Sequence, residues 1–392
     1  MTTNIITNIN AVLPDSVIED ARVVIEDGVI TEVGPRNGQA QGNVDGLGAF
    51  CIPGVVDTHS DGFEAEPKPR PGAELPLEFC IRSFEAKVRA AGITTIFHGI
   101  GFENDGNRSV ELANRLVNII HSYSDDSTLL DNRVLYRLDA RDADGFQGLL
   151  DRIDGDRVRD HRPLVSFEDH TPGVGQYRDR TYFENWIMRH RNMDRETARA
   201  HVDEVIKERD AVLHNRAAAI PWLTEQAIAG NIRLMAHDPA TPEDVEEAIS
   251  WHASIAEFPT TIEAAELARN AGMRTVCGAP NVLRGGSHTG NVSAAELISL
   301  GLCDGLSSDY LPFAMLGAVG TLVRDNVCSI VDAVRLVTSG PAETVGLQDR
   351  GRLVVGARGD ITLCHLDGSN PRVLGSFRTG QGSQRSLAYQ DA

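Results

Sequence analysis

Short apolar runs alternate with amphipathic stretches through the middle of the chain. Eight of these runs have the length and composition of buried β-strands, and the segments between them have helical periodicity. The runs cover 51–58, 93–98, 134–139, 163–168, 232–236, 254–258, 274–278 and 304–308. Alternating strands and helices predict a parallel sheet, and eight such units predict a (β/α)8 TIM-like barrel over 51–345.

Both ends of the chain have a different, β-rich pattern. Two apolar runs near the N-terminus meet at Asp27-Gly28, a dipeptide typical of tight hairpin turns. Near the other end, 351–363 has the pattern of a strand, a turn and a second strand. We therefore expect 1–50 and 346–392 to combine into a small flanking β-sandwich domain.

One segment interrupts the alternation. Residues 174–226 separate the fourth and fifth predicted strands and are rich in Arg, Glu and Asp with scattered aromatic residues. The part from 196 to 213 has a helical pattern. The segment is interpreted either as a solvated helical excursion or as a cap over the mouth of the barrel.

Charge and composition narrow the range of partners. The formal net charge of −19 argues against nucleic acid or an anionic membrane as the main partner. An anionic small molecule stays compatible, because a metal and a few local cations set the field inside a pocket. The six cysteines form no C-x-x-C pair, and neither a signal peptide nor a long apolar span is found. We expect a cytoplasmic protein with free thiols, compatible with a homo-oligomer.

The first predicted barrel strand runs into a His-x-Asp pair, His59 and Asp61. Alternate side chains of a strand point to the same face, so this spacing places an imidazole and a carboxylate in one site. Such donors suit a divalent metal, with zinc the leading candidate and manganese or iron as alternatives. The sequence predicts one or two ions.

Further candidate metal ligands follow later strands, namely Asp139, His170, His237 and Glu257. For Asp139, a salt bridge to Arg137 or Arg141 is an equally good interpretation. Either Glu168 or Asp169 could bridge two metals or orient a histidine. A buried Glu257 needs a partner, which a metal would supply.

Asp309 follows the last predicted strand and is the candidate catalytic residue. A single carboxylate in that position can accept the proton of an attacking water.

Two segments have the chemistry of a phosphate site. The predicted loop 278–291 contains four glycines, hydroxyl side chains and an arginine. Its candidate phosphate-binding residues are Arg284, Gly285, Gly286, Ser287 and His288, at a place in the chain where barrel enzymes often bind phosphate. Lys68 and Arg70, held between prolines, are a second candidate clamp. The alternative for 278–291 is a flexible loop without a ligand.

Taken together, these motifs resemble the amidohydrolase superfamily, and they are most similar to its phosphoanhydride hydrolases of phosphonate metabolism. The matching segments are 58–61, 68–71, 169–173, 236–238, 256–261, 278–281, 284–288 and 307–310. The resemblance implies a barrel with a flanking β-domain. It also implies metal-dependent cleavage of the α,β phosphoanhydride of a ribose 5-triphosphate, with release of pyrophosphate. It assigns metal binding to His59, Asp61, His170 and His237, and the general base to Asp309.

The chain departs from the family pattern at several positions. Gly62 stands where an asparagine is expected, Asp139 where a glutamate is expected, and Glu168 where an apolar residue is expected. Glu257 also replaces the histidine usual after the sixth strand. Two other interpretations stay open: a deacetylase or cyclic amidase acting on an anionic substrate, and a non-catalytic scaffold that kept the barrel.

Overall fold

The fold is that of a computed structural model, which describes residues 3–378 apart from 71, 107, 127–128, 157–161 and 288. The strands are β1 Thr3–Val12, β2 Val17–Glu26, β3 Val29–Pro35, β4 Val44–Pro53, β5 Val55–Ser60, β6 Ile93–Phe102, β7 Asp131–Asp139, β8 Leu164–Glu168, β9 Arg233–His237, β10 Ile255–Glu257, β11 Arg274–Gly278, β12 Gly305–Ser307, β13 Ile361–Asp367 and β14 Asn370–Phe377.

The helices are α1 Gly62–Ala65, α2 Leu77–Ala90, α3 Val110–Asp126, α4 Ala143–Asp156, α5 Arg180–Arg191, α6 Arg195–Ala211, α7 Leu213–Ile228, α8 Pro242–Ser250, α9 Ile262–Asn270, α10 Ala279–Arg284, α11 Ala294–Ser299, α12 Ala314–Arg324, α13 Ile330–Arg335 and α14 Ser339–Thr344. A short 3₁₀ helix covers Gly175–Tyr177.

Strands β5 to β12 form one eight-stranded sheet in chain order, which confirms the predicted barrel. Sheet pairs along it are parallel, as between β7 and β8 and between β9 and β10. Every position of β5 and β6 is buried, as expected for parallel strands whose two faces are both covered. The barrel is nearly closed, because backbone hydrogen bonds connect the end of β5 with the residues after β12.

The remaining strands form a separate six-stranded sheet, in the order β14-β13-β4-β1-β2-β3. It is built from both ends of the chain, as predicted. Its hairpin between β2 and β3 turns at Asp27 and Gly28, whose φ angles of 47° and 90° are both left-handed. A two-residue hairpin turn of type I′ requires this geometry, which explains the Asp-Gly dipeptide.

Two predicted strand boundaries are wrong. The run 51–58 is divided at Gly54, because Cys51 pairs with Ala11 and Leu363 in the six-stranded sheet while β5 belongs to the barrel. A Cβ on Gly54 would lie 2.1 Å from the Thr94 hydroxyl, so only glycine fits at the division. In 351–363 the first predicted strand is absent and β13 begins at Ile361.

By its internal contacts the chain divides into two units. The first comprises Met1–Phe97, Ile120–Arg133 and Gly305–Ala392, and the second comprises His98–Ile119 and Val134–Asp304. The predicted insertion lies in the second unit and is helical, formed by α5, α6 and α7. Ile187, Ala198 and Val202 give it a small apolar core of its own. No helix in the described part of the chain is long and apolar enough to cross a membrane.

A buried ionic cluster in the first unit gives a prediction about acid stability. Asp131 accepts hydrogen bonds from Arg133 and Arg350, and only 4% of the Arg350 side chain is exposed. Burial opposes the charged form of Asp131, but the arginines outweigh burial and hold the pKa of this carboxyl well below its usual range. A carboxyl whose pKa is depressed in the folded state stabilises the fold at pH values above its unfolded-state pKa of about 3.9. This stabilisation is lost as the pH falls through the lower pKa of the folded state.

We therefore expect Asp131→Asn to lower the free energy of unfolding by about 3 kcal/mol at pH 7. The difference from the unsubstituted chain should shrink as the pH falls below about 4. Urea unfolding across this pH range measures it. Asp367→Asn, which removes an exposed partner of Arg372, is the matched control and should change the free energy by less than about 1 kcal/mol. An Asp131→Asn effect that is independent of pH would contradict the prediction.

Candidate metal centre

The first unit brings together His59, Asp61 and Asp309, three of the predicted site residues. The ligand atoms that these side chains offer lie within 4.8 Å of one another. His59 Nε2 is 3.1 Å from Asp61 Oδ1, and the His59 side chain is only 1% exposed. Two carboxylates and an imidazole at this separation form a donor set that a divalent cation fits.

The local backbone explains why Asp309 joins this group. The Asp309 N–H donates to the His59 carbonyl over 2.9 Å, and the Asp61 N–H donates to the Asp309 carbonyl over 2.7 Å. Asp309 has a φ of 56°, a left-handed conformation that Asp and Asn adopt more readily than most residues. The turn directs the chain away from β12 directly after the barrel closes.

The second unit forms another group, composed of Glu168, His170 and His237. Their ligand atoms also lie within 4.8 Å of one another. His170 Nδ1 is 3.9 Å from Glu168 Oε2, and His237 Nδ1 is 3.8 Å from Glu168 Oε1. The two imidazole rings are 5.2 Å apart between centroids and nearly perpendicular. This group contains two of the predicted ligands, together with a glutamate for which the sequence left the role open.

Glu257 lies against His237. The two residues are register partners on β10 and β9, and Glu257 Oε2 is 2.7 Å from His237 Nδ1. Glu257 is completely buried and also accepts a hydrogen bond of 2.9 Å from the Ser166 hydroxyl. A carboxylate on one ring nitrogen orients the imidazole, and the other nitrogen, Nε2, lies 3.4 Å from Asp238 Oδ2.

The two histidines of the second unit have opposite electrostatic surroundings. Burial lowers the pKa of His170 to about 3, although Glu168 opposes this. Burial also disfavours the charged form of His237, but Asp238, Glu168 and Glu257 outweigh burial and raise its pKa to about 9. So much buried negative charge around one imidazole calls for a cation, and a divalent metal would supply it.

Glu168 has an additional partner that the sequence did not reveal. Arg137 Nε and Nη2 each donate to one Glu168 oxygen over 2.9 Å, and both side chains are about 95% buried. Burial opposes the charged form of Glu168, but Arg137 together with His237 and His170 outweighs burial and holds the pKa of this carboxyl well below its usual value. Arg137 was considered as a partner for Asp139, and the structure pairs it with Glu168 instead.

Asp139 and Asp169 lie in ion pairs with arginines. Arg209, from α6 of the insertion, donates to both oxygens of Asp139 over 2.9 Å. Arg141 Nε donates to Asp169 Oδ2 over 2.9 Å. Among the described residues, the groups of metal-type donors do not include Asp139. Sequence reasoning proposed a salt bridge for Asp139 as the alternative to metal binding, but it did not find Arg209.

The predicted glycine-rich loop is only partly a loop. Residues 279–284 form α10, because Pro280 suits the first turn of a helix and Gly285 ends it with a φ of 75°. The loop begins after Arg284, which is exposed, and Gly286 is also left-handed with a φ of 155°. Ser287 Oγ lies 2.8 Å from Thr289 Oγ1. His288 lies outside the described residues.

The other predicted clamp lies in the first unit. Lys68 and Arg70 are both exposed and precede α2. Arg70 forms an isolated antiparallel bridge with Ala73, so the segment turns back on itself. Both side chains are therefore accessible to an anion.

A cavity in the second unit adjoins His237 and Asp238. Its lining also includes Arg216, Glu247 and Trp251. Arg216 donates to both Glu247 oxygens over 2.8 and 2.6 Å and lies over the Trp251 ring at 5.0 Å. The acidic side chains Glu168, Asp169, Asp238 and Asp244 also line it. The cavity therefore borders the histidine group at His237 and Glu168.

Known proteins resemble the chain both in sequence and in fold. No protein-family model matches the chain. The chain is 32% identical over 388 residues to the α-D-ribose 1-methylphosphonate 5-triphosphate diphosphatase of Escherichia coli strain K12, covering 96% of this chain and 99% of the relative. It is 25% identical over 381 residues to an imidazolonepropionase of Mycolicibacterium smegmatis, covering 93% and 91%.

Solved structures show the same fold. The N-acetylglucosamine-6-phosphate deacetylase from Pasteurella multocida aligns over 97% of this chain and 99% of its own, with a TM-score of 0.59 and 13% identity. At that identity the likeness shows the barrel and its flanking sheet alone. The identity to the E. coli protein, over nearly the full length of both chains, shows more. The chain belongs to the family of the α-D-ribose 1-methylphosphonate 5-triphosphate diphosphatase, within the amidohydrolase superfamily.

Proposed function

We propose that the protein is a metal-dependent diphosphatase that hydrolyses the α,β phosphoanhydride of ribose 1-methylphosphonate 5-triphosphate. The observation that carries the proposal is the close group formed by His59, Asp61 and Asp309 in a chain related to an enzyme of that name. The products are pyrophosphate and the 5-monophosphate.

His59 and Asp61 are the proposed ligands of a divalent ion in the first unit, and His170 and His237 are the proposed ligands in the second. Zinc suits these nitrogen and oxygen donors, and manganese or iron would also fit them. When bound, the ion supplies Lewis-acid chemistry by neutralising phosphoryl charge and making coordinated water more acidic. Glu257 holds His237 through Nδ1, and Glu168 contributes the negative charge between the two imidazoles.

Asp309 is proposed as the general base. Its carboxylate accepts a proton from water as the water oxygen bonds to the α-phosphorus. The bond from the α-phosphorus to the bridging oxygen breaks, and that oxygen leaves with pyrophosphate. The left-handed turn and two backbone hydrogen bonds hold the backbone of Asp309 against the end of β5, which supports this role. A preorganised base avoids the cost of ordering it during the reaction.

The triphosphate needs local cations, because the whole chain carries a net charge of −19. We propose Lys68 and Arg70 as phosphate-binding cations of the first unit and Arg284 as a phosphate-binding cation of the second. Gly285, Gly286 and Ser287 add backbone N–H groups and a hydroxyl, and their left-handed glycines allow successive N–H groups to face one anion. His288 also belongs to this proposed set.

The test is a product analysis with the metal-loaded protein. Ribose 1-methylphosphonate 5-triphosphate and ATP are incubated in ¹⁸O-water, and the products are followed by phosphorus NMR. We expect pyrophosphate together with a 5-monophosphate that carries the label, and faster turnover of the phosphonate sugar than of ATP. Label in orthophosphate would mean attack at the γ-phosphorus and would contradict the proposed cleavage site.

A second panel addresses the amidohydrolase alternative. The relationship to an imidazolonepropionase favours including cyclic amides, and N-acetyl sugar phosphates represent the deacetylases. We expect no turnover of either class above the rate of Asp309→Asn. Turnover of a panel compound, with both triphosphates left intact, would replace the proposed reaction by attack at a carbonyl carbon.

A further inference from the structure

Asp169 and Thr171, the two residues on either side of His170, are hydrogen-bonded to each other, and the insertion contacts both. Thr171 donates to Asp169 Oδ1 through its backbone N–H over 3.1 Å and through its hydroxyl over 2.6 Å. This closes a tight turn around His170. Thr171 is 2% exposed, and only 12% of the Asp169 side chain is exposed. The two neighbours of His170 in the chain are therefore tied to each other and buried.

Arg209, in the last turn of α6, connects the tight turn around His170 to the end of β7. Its Nε donates to the Thr171 hydroxyl over 3.0 Å, and its Nη2 donates to both Asp139 oxygens over 2.9 Å. The same Nη2 lies 3.5 Å from Asp169 Oδ1. One planar guanidinium thus connects the strand end, the turn and the insertion, a geometry that a lysine ammonium cannot reproduce.

Arg141 makes a second connection from the other side. Its Nε donates to Asp169 Oδ2 over 2.9 Å, and its Nη1 donates to Asp210, the residue after Arg209, over 2.8 Å. Asn215, in α7, donates to the Arg141 carbonyl over 2.9 Å. Both ends of the α6–α7 junction are therefore bound to Arg141, which in turn contacts Asp169 beside His170.

The His170 ring itself has few contacts of its own. Its nearest carboxylate oxygens, on Glu168 and Asp238, are 3.9 and 4.0 Å away. Its other neighbours are the rings of His237 and Tyr177, at 5.2 and 6.2 Å between centroids. Among the described residues, none holds the imidazole by a hydrogen bond. The position of the ring is therefore set by the backbone on either side, which the arginines hold.

We propose that Arg209 and Arg141 are positioning residues for His170. Because Arg209 belongs to the insertion, the insertion contributes to the geometry of the metal site. The inference rests on the proposed metal function. It assigns to the insertion a role that differs from both interpretations of the sequence, a solvated excursion and a cap. By reciprocity, a metal bound at His170 stabilises the end of α6 as much as α6 favours the metal.

A double-mutant cycle between Arg209 and His170 tests the proposal. The affinity for Zn²⁺ is measured by competition with a chromophoric chelator for the full chain, Arg209→Met, His170→Ala and the double variant. We expect Arg209→Met to weaken binding about 10-fold, the lower end of the effect of removing a residue that supports a ligand. In the His170→Ala background the same change should have an effect of less than about twofold, because the group on which Arg209 acts is gone.

Arg180→Met is the matched control, since it removes an arginine of the insertion that pairs with Glu184 and Asp203 and, among the described residues, forms no hydrogen bond or ion pair with the turn. Its Zn²⁺ affinity should equal that of the unsubstituted chain. An equal loss from Arg209→Met in both backgrounds would overturn the proposal, because it would mean a general structural effect. Absence of Zn²⁺ binding by the unsubstituted chain would overturn the proposed metal function and this inference together.

Hydrogen exchange tests the same coupling in the unsubstituted chain, so it does not require any variant to fold. Backbone amides of the last turns of α6 should exchange more slowly when Zn²⁺ is bound to the unsubstituted chain, and those of α5 should change less. Unchanged exchange in α6 on Zn²⁺ binding would contradict the coupling.

Arg141→Met gives a second, independent substitution for the double-mutant cycle with His170 and should reproduce its non-additivity.

Discussion

Replacing Asp309 by asparagine is expected to lower kcat for the triphosphate by about 10²–10⁴-fold, the range for loss of a general base. Asparagine keeps the shape of the side chain but cannot accept a proton from water. It also tolerates the left-handed backbone at this position, where φ is 56°. The backbone hydrogen bonds to His59 and Asp61 involve no side-chain atom of residue 309, so they persist. The variant should therefore fold normally and turn over slowly.

Two measurements accompany the kinetics. Metal content is determined for the same preparation, because Asp309 belongs to a group that could hold the ion itself. Asp325→Asn, which removes an exposed acid paired with Arg324, is the control and should leave kcat unchanged. Near-normal turnover by Asp309→Asn with metal bound would show that another group accepts the proton. A loss of metal equal to the loss of activity would reassign Asp309 as a ligand.

The second large effect concerns stability. Glu168→Gln should lower the free energy of unfolding of the metal-free protein by about 3–5 kcal/mol, because it leaves the buried Arg137 charge without its counter-charge. Both side chains of this pair are about 95% buried, and two hydrogen bonds of 2.9 Å join them. The measurement is urea unfolding in the presence of a chelator, which separates the ion pair from any contribution of metal binding.

A double variant and an exposed pair serve as controls. Arg137→Met combined with Glu168→Leu removes both charges and should recover most of the lost stability, since apolar replacements of buried ion pairs are often neutral. Glu32→Gln breaks the exposed Arg22–Glu32 pair and should cost less than about 1 kcal/mol. If Glu168→Gln costs no more than Glu32→Gln, the buried pair does not stabilise the fold in the way proposed.

Local pattern was enough to predict the main elements of the fold. The alternation of apolar runs and helical stretches placed all eight barrel strands to within a few residues. The Asp27-Gly28 turn was also predicted correctly, because left-handed backbone angles are required there. His59 and Asp61 do lie together, with 3.1 Å between Nε2 and Oδ1, although Asp61 follows the end of β5 and has helical backbone angles rather than those of a strand. In each case the cause lies within a few neighbouring residues.

Charged partners were much harder to predict. Asp139 pairs with an arginine 70 residues later in the chain, and Glu168 pairs with one 31 residues earlier. Several arginines near each acid in sequence were equally plausible, so the choice depended on strand register and on the path of the insertion. The strand boundary within 51–58 was predicted wrongly for a related reason. The run 51–58 is uniformly apolar, and only the pairing of Cys51 with Leu363 shows that it serves two sheets.

The sequence by itself determined the barrel, the flanking sheet from both chain ends and the candidate chemistry of His59, Asp61, His170, His237 and Asp309, because periodicity and residue type are local properties. Tertiary structure alone decided which carboxylates lie beside an imidazole and which are neutralised by arginine. It also decided that the insertion holds the turn around His170. These outcomes depend on contacts between segments far apart in the chain, since an ion pair is selected by geometry after folding and leaves no pattern in either segment.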